Sequence, residues 1–436
     1  MTIRKISVIV VVLAAIGLGL SYSKLYLFHI AAAAFFLFWL WKGDLFKGDT
    51  IARHIDKYFY FMILWYALSI GWSPKLGDTL IYISYILFGI IIIEAVLVAS
   101  RSIEEQTRLF KALSIAFIIE LGLSVLEVLR IVRYPISVFS SYASLFGRGA
   151  TSADLGIFGS AVTEYLMRRP TGFQWNPNDL ALLMLMMLPF FIFLKRKLYS
   201  RLGVALTLLC IIMSASRGAF IGTAVVVPVC YFIKLKRRRI VVVALIAAAI
   251  GLAPVAFRYV TGLDYRTLTR VASSFEAVST VASGEPTRPT SSINVRRIYI
   301  EKGMAAFAET RGLGVGAGGD RVVLEGESMH NYWVEVLLDG GVLVFATYVF
   351  WLLYLFFSLL KAYRNSQDDS IKYFAMASAI SLIGFAIGCI SASSVIYFLP
   401  KWILYGFSMA TIYNHRRQLK QTALGLAAVQ VIPEEA

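Results

Sequence analysis

Long apolar stretches recur along almost the whole chain and are separated by short polar segments. A bilayer crossing needs about 20 mainly apolar residues. Since a backbone in lipid must satisfy its hydrogen bonds internally, spans of this kind are predicted to be helices. The pattern predicts an all-α integral membrane protein of about 12 transmembrane helices with two long outer-face loops, the second partly helical. The predicted spans are residues 6–21, 25–41, 58–72, 79–99, 109–129, 179–194, 202–216, 218–234, 240–257, 333–360, 372–391 and 396–413.

Composition excludes an ordinary soluble enzyme. Of the 436 residues, 58% are hydrophobic and 16% are charged, whereas soluble domains carry roughly 45–50% apolar and 25% charged residues. Residues 6–20 resemble a signal peptide, but no small-residue cleavage site follows them, so they are interpreted as a retained first span.

Connections rich in lysine and arginine alternate along the chain with connections that contain few of them. If the N-terminus is cytoplasmic, 24 of the 42 basic residues fall in inner segments, and the four short outer connections contain only Lys24, Lys75, Arg217 and Lys401. This is the positive-inside pattern. It predicts a multi-pass membrane protein with both termini cytoplasmic, and it explains the net charge of +16 without a nucleic-acid partner.

The predicted spans divide the chain into six segments. Two of these segments are long outer loops, and loops of such length are usually functional or disordered. Within the second loop, apolar residues at helical spacing predict a helix over 294–310. The segments are helices one to five (1–129), the first long outer loop (130–178), helices six to nine (179–257), the second long outer loop (258–332), helices ten to twelve (333–420) and a cytoplasmic tail (421–436).

The end of the second loop contains polar residues at a span entrance. His330 is a candidate acid–base group or an interfacial residue that hydrogen-bonds headgroups and water. Asn331 and Glu335 are four residues apart and share a helix face. They are candidates to orient a substrate hydroxyl, or they cap and solvate the start of the helix.

A glycine-rich run precedes this histidine. Gly314, Gly316 and Gly319 satisfy the spacing G-x-G-x-x-G, but a dinucleotide site needs a preceding strand and a following helix, and neither is indicated. Gly314 and Gly316 instead predict a backbone that turns tightly or approaches a phosphate or sugar closely.

Arginines and an aromatic segment complete the candidate chemistry. Arg217 lies at a span end, where it either binds a phosphate or snorkels. Arg296 and Arg297 form a pair in the second loop. In the first loop, Trp175 and Asn178 suit sugar or phosphate contact, although Asn178 or Asp179 could instead cap the next helix. Glu120 lies within a span, which marks it as a functional candidate with no evident partner.

Four motifs, in order, resemble the O-antigen ligase and polymerase superfamily of bacterial cell-envelope glycan enzymes. The resemblance covers about residues 170–345, the core domain of that family. Ile300 and Arg311 depart from residues common in the family, and Arg297 could replace Arg296 in another register. The motifs are the segment Gly172–Asn178, the turn Ser214–Gly218, Arg296 ahead of Gly314 and Gly316, and His330-Asn331 followed by Glu335 and Gly340-Gly341.

The resemblance implies a protein of the bacterial inner membrane that carries out an inverting glycosyl transfer at the outer face of that membrane. The implied donor is a glycan on undecaprenyl diphosphate, and the implied partners are a glycan or lipid-core acceptor and the lipid bilayer, with contact to a flippase or chain-length regulator left open. No cofactor and no metal is implied. Arg217 and Arg296 are expected to stabilise the leaving diphosphate, and His330 to deprotonate the acceptor hydroxyl. Arg297, Asn331, Glu335, Asn178, Trp175, Gly314 and Gly316 are the expected substrate-binding residues.

The favoured function is a ligase that serves a lipid A-core or other envelope acceptor, and three alternatives remain. A polymerase that joins lipid-linked repeat units is only slightly less favoured. A twelve-span transporter would place paired polar residues at mid-membrane and would not need His330. A scaffold without chemistry predicts that changes at Arg217 and His330 are silent.

Overall fold

The computed structural model describes residues 2–23, 25–41, 53–137, 139–140, 142–147, 169–174, 176–234, 292–392 and 395–430. Within these ranges the chain is mainly helical. The longer helices are α1 (Ile3–Ile16), α2 (Leu27–Trp41), α3 (Arg53–Leu68), α4 (Leu76–Ala99), α5 (Ile103–Val128), α6 (Pro177–Phe193), α7 (Lys197–Ser214), α8 (Arg217–Lys234), α9 (Ser292–Glu309), α10 (Gly319–Val323), α11 (Tyr332–Asn365), α12 (Asp369–Gly388) and α13 (Leu399–Gln430).

Eleven of the twelve predicted spans coincide with a helix, and the twelfth, 240–257, lies outside the described residues. Six of the described helices are long and apolar enough to cross a membrane, namely α4, α5, α7, α8, α11 and α12. Helices α2 and α6 are apolar but shorter. The chain is therefore an all-α multi-pass membrane protein.

Two predictions about the loops need comment. The predicted helix over 294–310 is present as α9. The expectation of no strands was wrong at one point, because Ser21–Tyr22 and Leu25–Tyr26 pair as a short antiparallel hairpin, β1 and β2, between α1 and α2. Each strand is two residues long, too short to give a periodic signal in the sequence. Residues 148–168 and 258–291 of the two long loops lie outside the described residues.

Helix α12 lies at the centre of the bundle and packs against α6, α8, α11 and α13. Its buried face is rich in small residues, including Ala375, Ser378 and Ser381. Small side chains let helices approach closely where water provides no driving force for packing. A Cβ added at Gly222 of α8 would lie 2.3 Å from Leu185 of α6, so a glycine is needed at this crossing.

Contacts between helix ends define two ends of the bundle. At one end, Lys195 after α6 pairs with Asp369 at the start of α12, and Lys234 at the end of α8 donates to the Ile192 carbonyl. At the opposite end, the α7–α8 turn meets the end of α12 through Ser216 and Ser391. We call these the basic end and the site end. This grouping agrees with the alternation of basic connections in the sequence.

Candidate functional site

The α7–α8 turn places Arg217 beside the end of α12. Ala215 adopts a left-handed conformation with φ 53°, which ends α7 and starts α8 two residues later. The hydroxyls of Ser216 and Ser391 hydrogen-bond at 3.1 Å. A Cβ on Gly218 would lie 2.4 Å from the Ser391 hydroxyl oxygen. The segment around Ser391 therefore fixes the position of Arg217 at the first turn of α8.

Arg296 on α9 reaches the same segment. Its guanidinium donates to the Ser391 carbonyl at 3.2 Å. Arg297 is exposed and pairs with Glu301 at 2.7 Å, one turn further along α9. Of the two arginines between which the sequence left a choice, Arg296 is the one that meets the end of α12.

The segment that contains His330 also contacts the end of α12. His330 has a left-handed backbone with φ 52°, which is uncommon for a residue with a Cβ. Two residues later, the Tyr332 amide donates to the Cys389 carbonyl at 3.2 Å. Nδ1 of His330 is buried and has no hydrogen-bond partner among the described residues. We refer to Arg217, Arg296, His330 and Ser391 as the site cluster.

The charges in the site cluster act on one another. Burial, and then the positive charge of Arg217, lowers the pKa of Arg296 to about 10, so the guanidinium stays charged at neutral pH. Burial, and then the charge of Arg296, lowers the pKa of His330 to about 4, so the imidazole is neutral there. Two like charges beside a neutral imidazole form a site suited to an anion with a proton acceptor next to it.

The first-loop motif is anchored beside the site cluster by acidic residues of α5. Glu127 accepts hydrogen bonds from the backbone amides of Thr171 at 2.7 Å and Gly172 at 2.8 Å. Glu120 accepts from the Phe173 amide at 3.0 Å. Arg169 in turn donates to the Ser214 carbonyl at 2.9 Å through Nε. The partner of Glu120, which the sequence did not reveal, is therefore the motif itself.

Glu127 has further partners that strengthen this anchor. Arg133 pairs with its carboxylate at 3.3 Å and also donates to the Arg169 carbonyl at 2.8 Å. The Thr171 hydroxyl hydrogen-bonds Ser137 at 2.8 Å. Sequence reasoning did not identify Arg133 or Ser391. The acidic residues within a span were the available signal for the anchor.

The start of α6 corrects one expectation. Asn176, rather than Asn178 or Asp179, is the N-cap of the helix, and its side chain accepts from the amides of Asn178 at 2.9 Å and Asp179 at 3.1 Å. Pro177 occupies the first helical position, where its missing N–H costs nothing. The side chain of Asp179 accepts from the Asn176 amide group at 2.7 Å. Trp175 lies outside the described residues.

Asn331 and Glu335 have different surroundings although they share a helix face. The Asn331 side chain caps α11 and accepts from the amides of Trp333 and Val334. Glu335 is buried and accepts from the Tyr82 hydroxyl of α4 at 3.3 Å. The Tyr82 hydroxyl also donates to Asp320 at 3.1 Å, and burial raises the pKa of that carboxyl.

The glycine run packs against a break in α11. Gly341 has φ 74° and ψ −178° within the helix. The Val315 amide donates to the Leu338 carbonyl at 2.8 Å, and the Val342 amide to the Gly312 carbonyl at 2.9 Å. We call residues 312–318 together with 338–342 the glycine joint.

Asp339 completes the glycine joint. Its two carboxylate oxygens accept from the amides of Gly318 at 3.0 Å and Asp320 at 2.9 Å. A Cβ at Gly314 would lie 2.5 Å from the Gly341 nitrogen, and one at Gly316 would lie 2.8 Å from the Ser73 side chain. Close packing against the α11 backbone therefore accounts for Gly314, and close packing against Ser73 accounts for Gly316. Among the described residues, no group of three or more His, Cys, Asp and Glu side chains is arranged to hold a metal ion.

Comparison with known proteins finds two similarities. Residues 202–349 match the family model described as O-antigen ligase. The chain is also 23% identical over 398 residues to the teichuronic acid biosynthesis protein TuaE of Bacillus subtilis (strain 168), a match that covers 86% of this chain and 74% of that protein. The chain therefore resembles the O-antigen ligase family over residues 202–349 and a polysaccharide-biosynthesis protein over most of its length. The O-antigen ligase match begins in α7 and ends in α11, and it includes Arg217, Arg296 and His330.

Both similarities point to polysaccharide biosynthesis at a membrane. The family match begins at residue 202, whereas the resemblance in the sequence was placed from about 170. The residues between these two starting points include the first-loop motif. Its backbone amides donate hydrogen bonds to Glu120 and Glu127 of α5.

Proposed function

We propose that this protein is a glycosyltransferase that moves a glycan from undecaprenyl diphosphate to an acceptor hydroxyl at the outer face of the bacterial inner membrane. The observation that carries the proposal is the convergence of Arg217, Arg296 and His330 on the segment around Ser391. These residues come from three distant parts of the chain. The family match and the TuaE relative support a role in envelope polysaccharide synthesis.

The two arginines would bind the donor diphosphate. A diphosphate gains negative charge as it leaves the anomeric carbon, and guanidinium groups already in place stabilise that charge without reorganisation. Without the donor, Arg217 and Arg296 repel each other, which is why Arg217 lowers the pKa of Arg296. An anion between them removes this repulsion.

His330 would act as the general base. The acceptor hydroxyl attacks the anomeric carbon and forms a new C–O bond, while the bond from that carbon to the diphosphate oxygen breaks and undecaprenyl diphosphate leaves. The hydroxyl proton passes to the neutral imidazole. A single displacement of this kind inverts the anomeric centre.

The bound donor would also make His330 a stronger base. In the free protein, the charge of Arg296 contributes to the low pKa of His330. Diphosphate binding compensates that charge, so the pKa of His330 rises when the donor arrives. Basicity is then highest when the leaving group is in position.

Two acceptor classes are candidates. A ligase would use a lipid-core or other envelope acceptor, and we favour this function slightly. A polymerase would use a second lipid-linked repeat unit as its acceptor. The name of the Bacillus relative refers to biosynthesis of teichuronic acid and to no lipid-core acceptor, which keeps the polymerase as the second candidate.

A reconstituted transfer assay tests the proposal. Purified protein in liposomes receives a lipid-linked glycan, either with a lipid-core acceptor or with donor alone, and EDTA is present throughout. Transfer to the core acceptor identifies a ligase, and longer chains from donor alone identify a polymerase. The variants His330→Ala and Arg217→Ala are expected to lose either product. Absence of transfer with every donor, or full transfer by both variants, would contradict the proposal.

A further inference from the structure

A second concave region lies at the basic end, away from the site cluster. It is a groove of about 1150 Å³ between α5, the α6–α7 connection, the end of α8 and the start of α12. The site cluster occupies the other end of α8 and α12. The proposed glycan chemistry therefore does not account for this groove.

Cations line the groove from four parts of the chain. They face a single acidic residue among the described lining residues, Asp369, which pairs with Lys195 at 2.7 Å. The Lys195 side chain is still 79% exposed in this pair, so the pair leaves its ammonium accessible. The lining cations are Lys111, Lys195, Arg196, Lys234 and Lys372.

The walls below these cations are apolar and open. Ile115 and Ile118 of α5 are 61% and 56% exposed, and Leu202 of α7 is 53% exposed. Exposed apolar side chains on spanning helices are covered by acyl chains in a bilayer. The groove thus places a positive rim directly above a surface that hydrocarbon covers.

We propose that this groove binds an anionic phospholipid. The headgroup phosphate lies among Lys195, Arg196 and Lys372, and the acyl chains follow the walls formed by α5 and α7. Basic pockets between spanning helices recognise anionic headgroups in this way, and each cation near the surface contributes roughly tenfold or less to affinity. A free phosphate would use the cations but leave the apolar walls uncovered, so the lipid is the better match.

The positive-inside pattern alone is the competing explanation for these cations. It requires basic residues at this end of the bundle but no concave arrangement. Lys361 and Arg364 of α11 and Lys420 of α13 are basic, exposed and absent from the groove. They provide a control set of equal charge.

Native mass spectrometry of the purified full-length protein in detergent tests the proposal. The protein is delipidated and titrated with dioleoylphosphatidylglycerol and, separately, with dioleoylphosphatidylcholine. We expect phosphatidylglycerol to bind preferentially to the wild type. The triple variant Lys195→Gln, Arg196→Gln, Lys372→Gln is expected to lose on the order of 100-fold in that affinity. The triple variant Lys361→Gln, Arg364→Gln, Lys420→Gln should lose less than about threefold.

Three results would overturn the proposal. Equal binding of the two lipids would show that the headgroup charge is not recognised. Equal losses in both triple variants would assign the effect to general surface charge. Displacement of the lipid by millimolar inorganic phosphate, with phosphate bound in its place, would make the groove a site for free phosphate. Thermal unfolding of each variant checks that the fold is retained.

Discussion

Residues 292–342 supply two members of the site cluster, Arg296 and His330, and the whole of the glycine joint. The two regions use polar groups in opposite ways. In the glycine joint, both carboxylate oxygens of Asp339 accept backbone amides, and the neighbouring carbonyls accept others. In the site cluster, the charge of Arg217 lowers the pKa of Arg296, and the charge of Arg296 lowers the pKa of His330. Nδ1 of His330 has no partner among the described residues.

This difference separates architecture from chemistry. Polar groups that satisfy one another stabilise a fold, whereas like charges close together, and a buried nitrogen such as His330 Nδ1 without a partner among the described residues, cost free energy. Such costs persist where a ligand compensates them. The more conspicuous motif, the glycine run, is therefore a packing device, and the less conspicuous arginines and histidine are the candidate site.

The largest expected effect is a loss of transfer activity on changing the site cluster, with no loss of stability. We expect His330→Gln to reduce the transfer rate about 100- to 10,000-fold, because it removes the proposed general base. The reconstituted assay gives the rate, and thermal unfolding should be unchanged. His29→Gln serves as a matched control, since His29 lies on α2 and hydrogen-bonds Tyr26. A rate for His330→Gln within threefold of wild type would contradict this role.

Two adjacent arginines give the next comparison. Arg296→Ala is expected to lower kcat about 100- to 1000-fold, because one preorganised charge on the diphosphate is lost. Arg297→Ala should change kcat less than threefold, since Arg297 is exposed and pairs with Glu301. Steady-state rates of both variants in liposomes provide the measurement. The reverse order of the two effects would place Arg297 at the site instead.

A change in the glycine joint should affect stability first. At Gly341 a Cβ would lie 2.4 Å from the Leu313 carbonyl oxygen, and its φ of 74° with ψ −178° is almost exclusive to glycine. We expect Gly341→Ala to lower the free energy of unfolding by about 3 kcal/mol. Thermal unfolding in detergent reports the loss.

Gly122 supplies the control for that change. It lies within α5, and an added Cβ would meet nothing within 4 Å. Alanine is preferred to glycine in a helix by about 1 kcal/mol, so Gly122→Ala should leave stability unchanged or raise it. Equal destabilisation at both positions would contradict a particular requirement for glycine in the glycine joint.

The smallest expected effect concerns the protonation of His330. Its pKa is about 4, so the imidazole is neutral at higher pH and becomes charged as the pH falls through that value. Transfer should therefore be independent of this group near neutral pH and decline only in acid. Arg296→Gln removes a nearby positive charge and should raise the pKa of His330, though burial still holds it below 6.5.

Nuclear magnetic resonance of labelled histidine measures this directly. The chain has four histidines, and the signal lost in His330→Gln identifies the relevant one. An ordinary pKa near 6.5 in the wild type would contradict the buried, charge-perturbed environment.

Much of the fold could be predicted because one physical rule dominates it. Apolar length determines where spans lie, and eleven predicted spans coincide with helices. The cap of α6 was misplaced by two residues, since Asn176, Asn178 and Asp179 are all residues that suit an N-cap. The hairpin after α1 was missed because two-residue strands carry no period.

The candidate site was harder to predict because it depends on contacts between distant segments. Spacing along the chain identified Arg217, Arg296 and His330 individually through the family resemblance. It gave no sign that Ser391 joins Ser216 and Arg296, or that Glu127 holds the motif at Thr171. Capping was one of the two roles predicted for Asn331, which does cap α11. Nothing in the sequence indicated that Glu335 hydrogen-bonds Tyr82 on α4.

The central claim is that one diphosphate lies among Arg217, Arg296 and His330. The most direct test is to titrate His330 by nuclear magnetic resonance with saturating undecaprenyl diphosphate and, as a control, with undecaprenol. We predict that the diphosphate raises the pKa of His330 by about one pH unit or more from its value near 4, because its negative charge compensates Arg296. Undecaprenol should leave the pKa unchanged. An unchanged pKa with bound diphosphate would contradict the account.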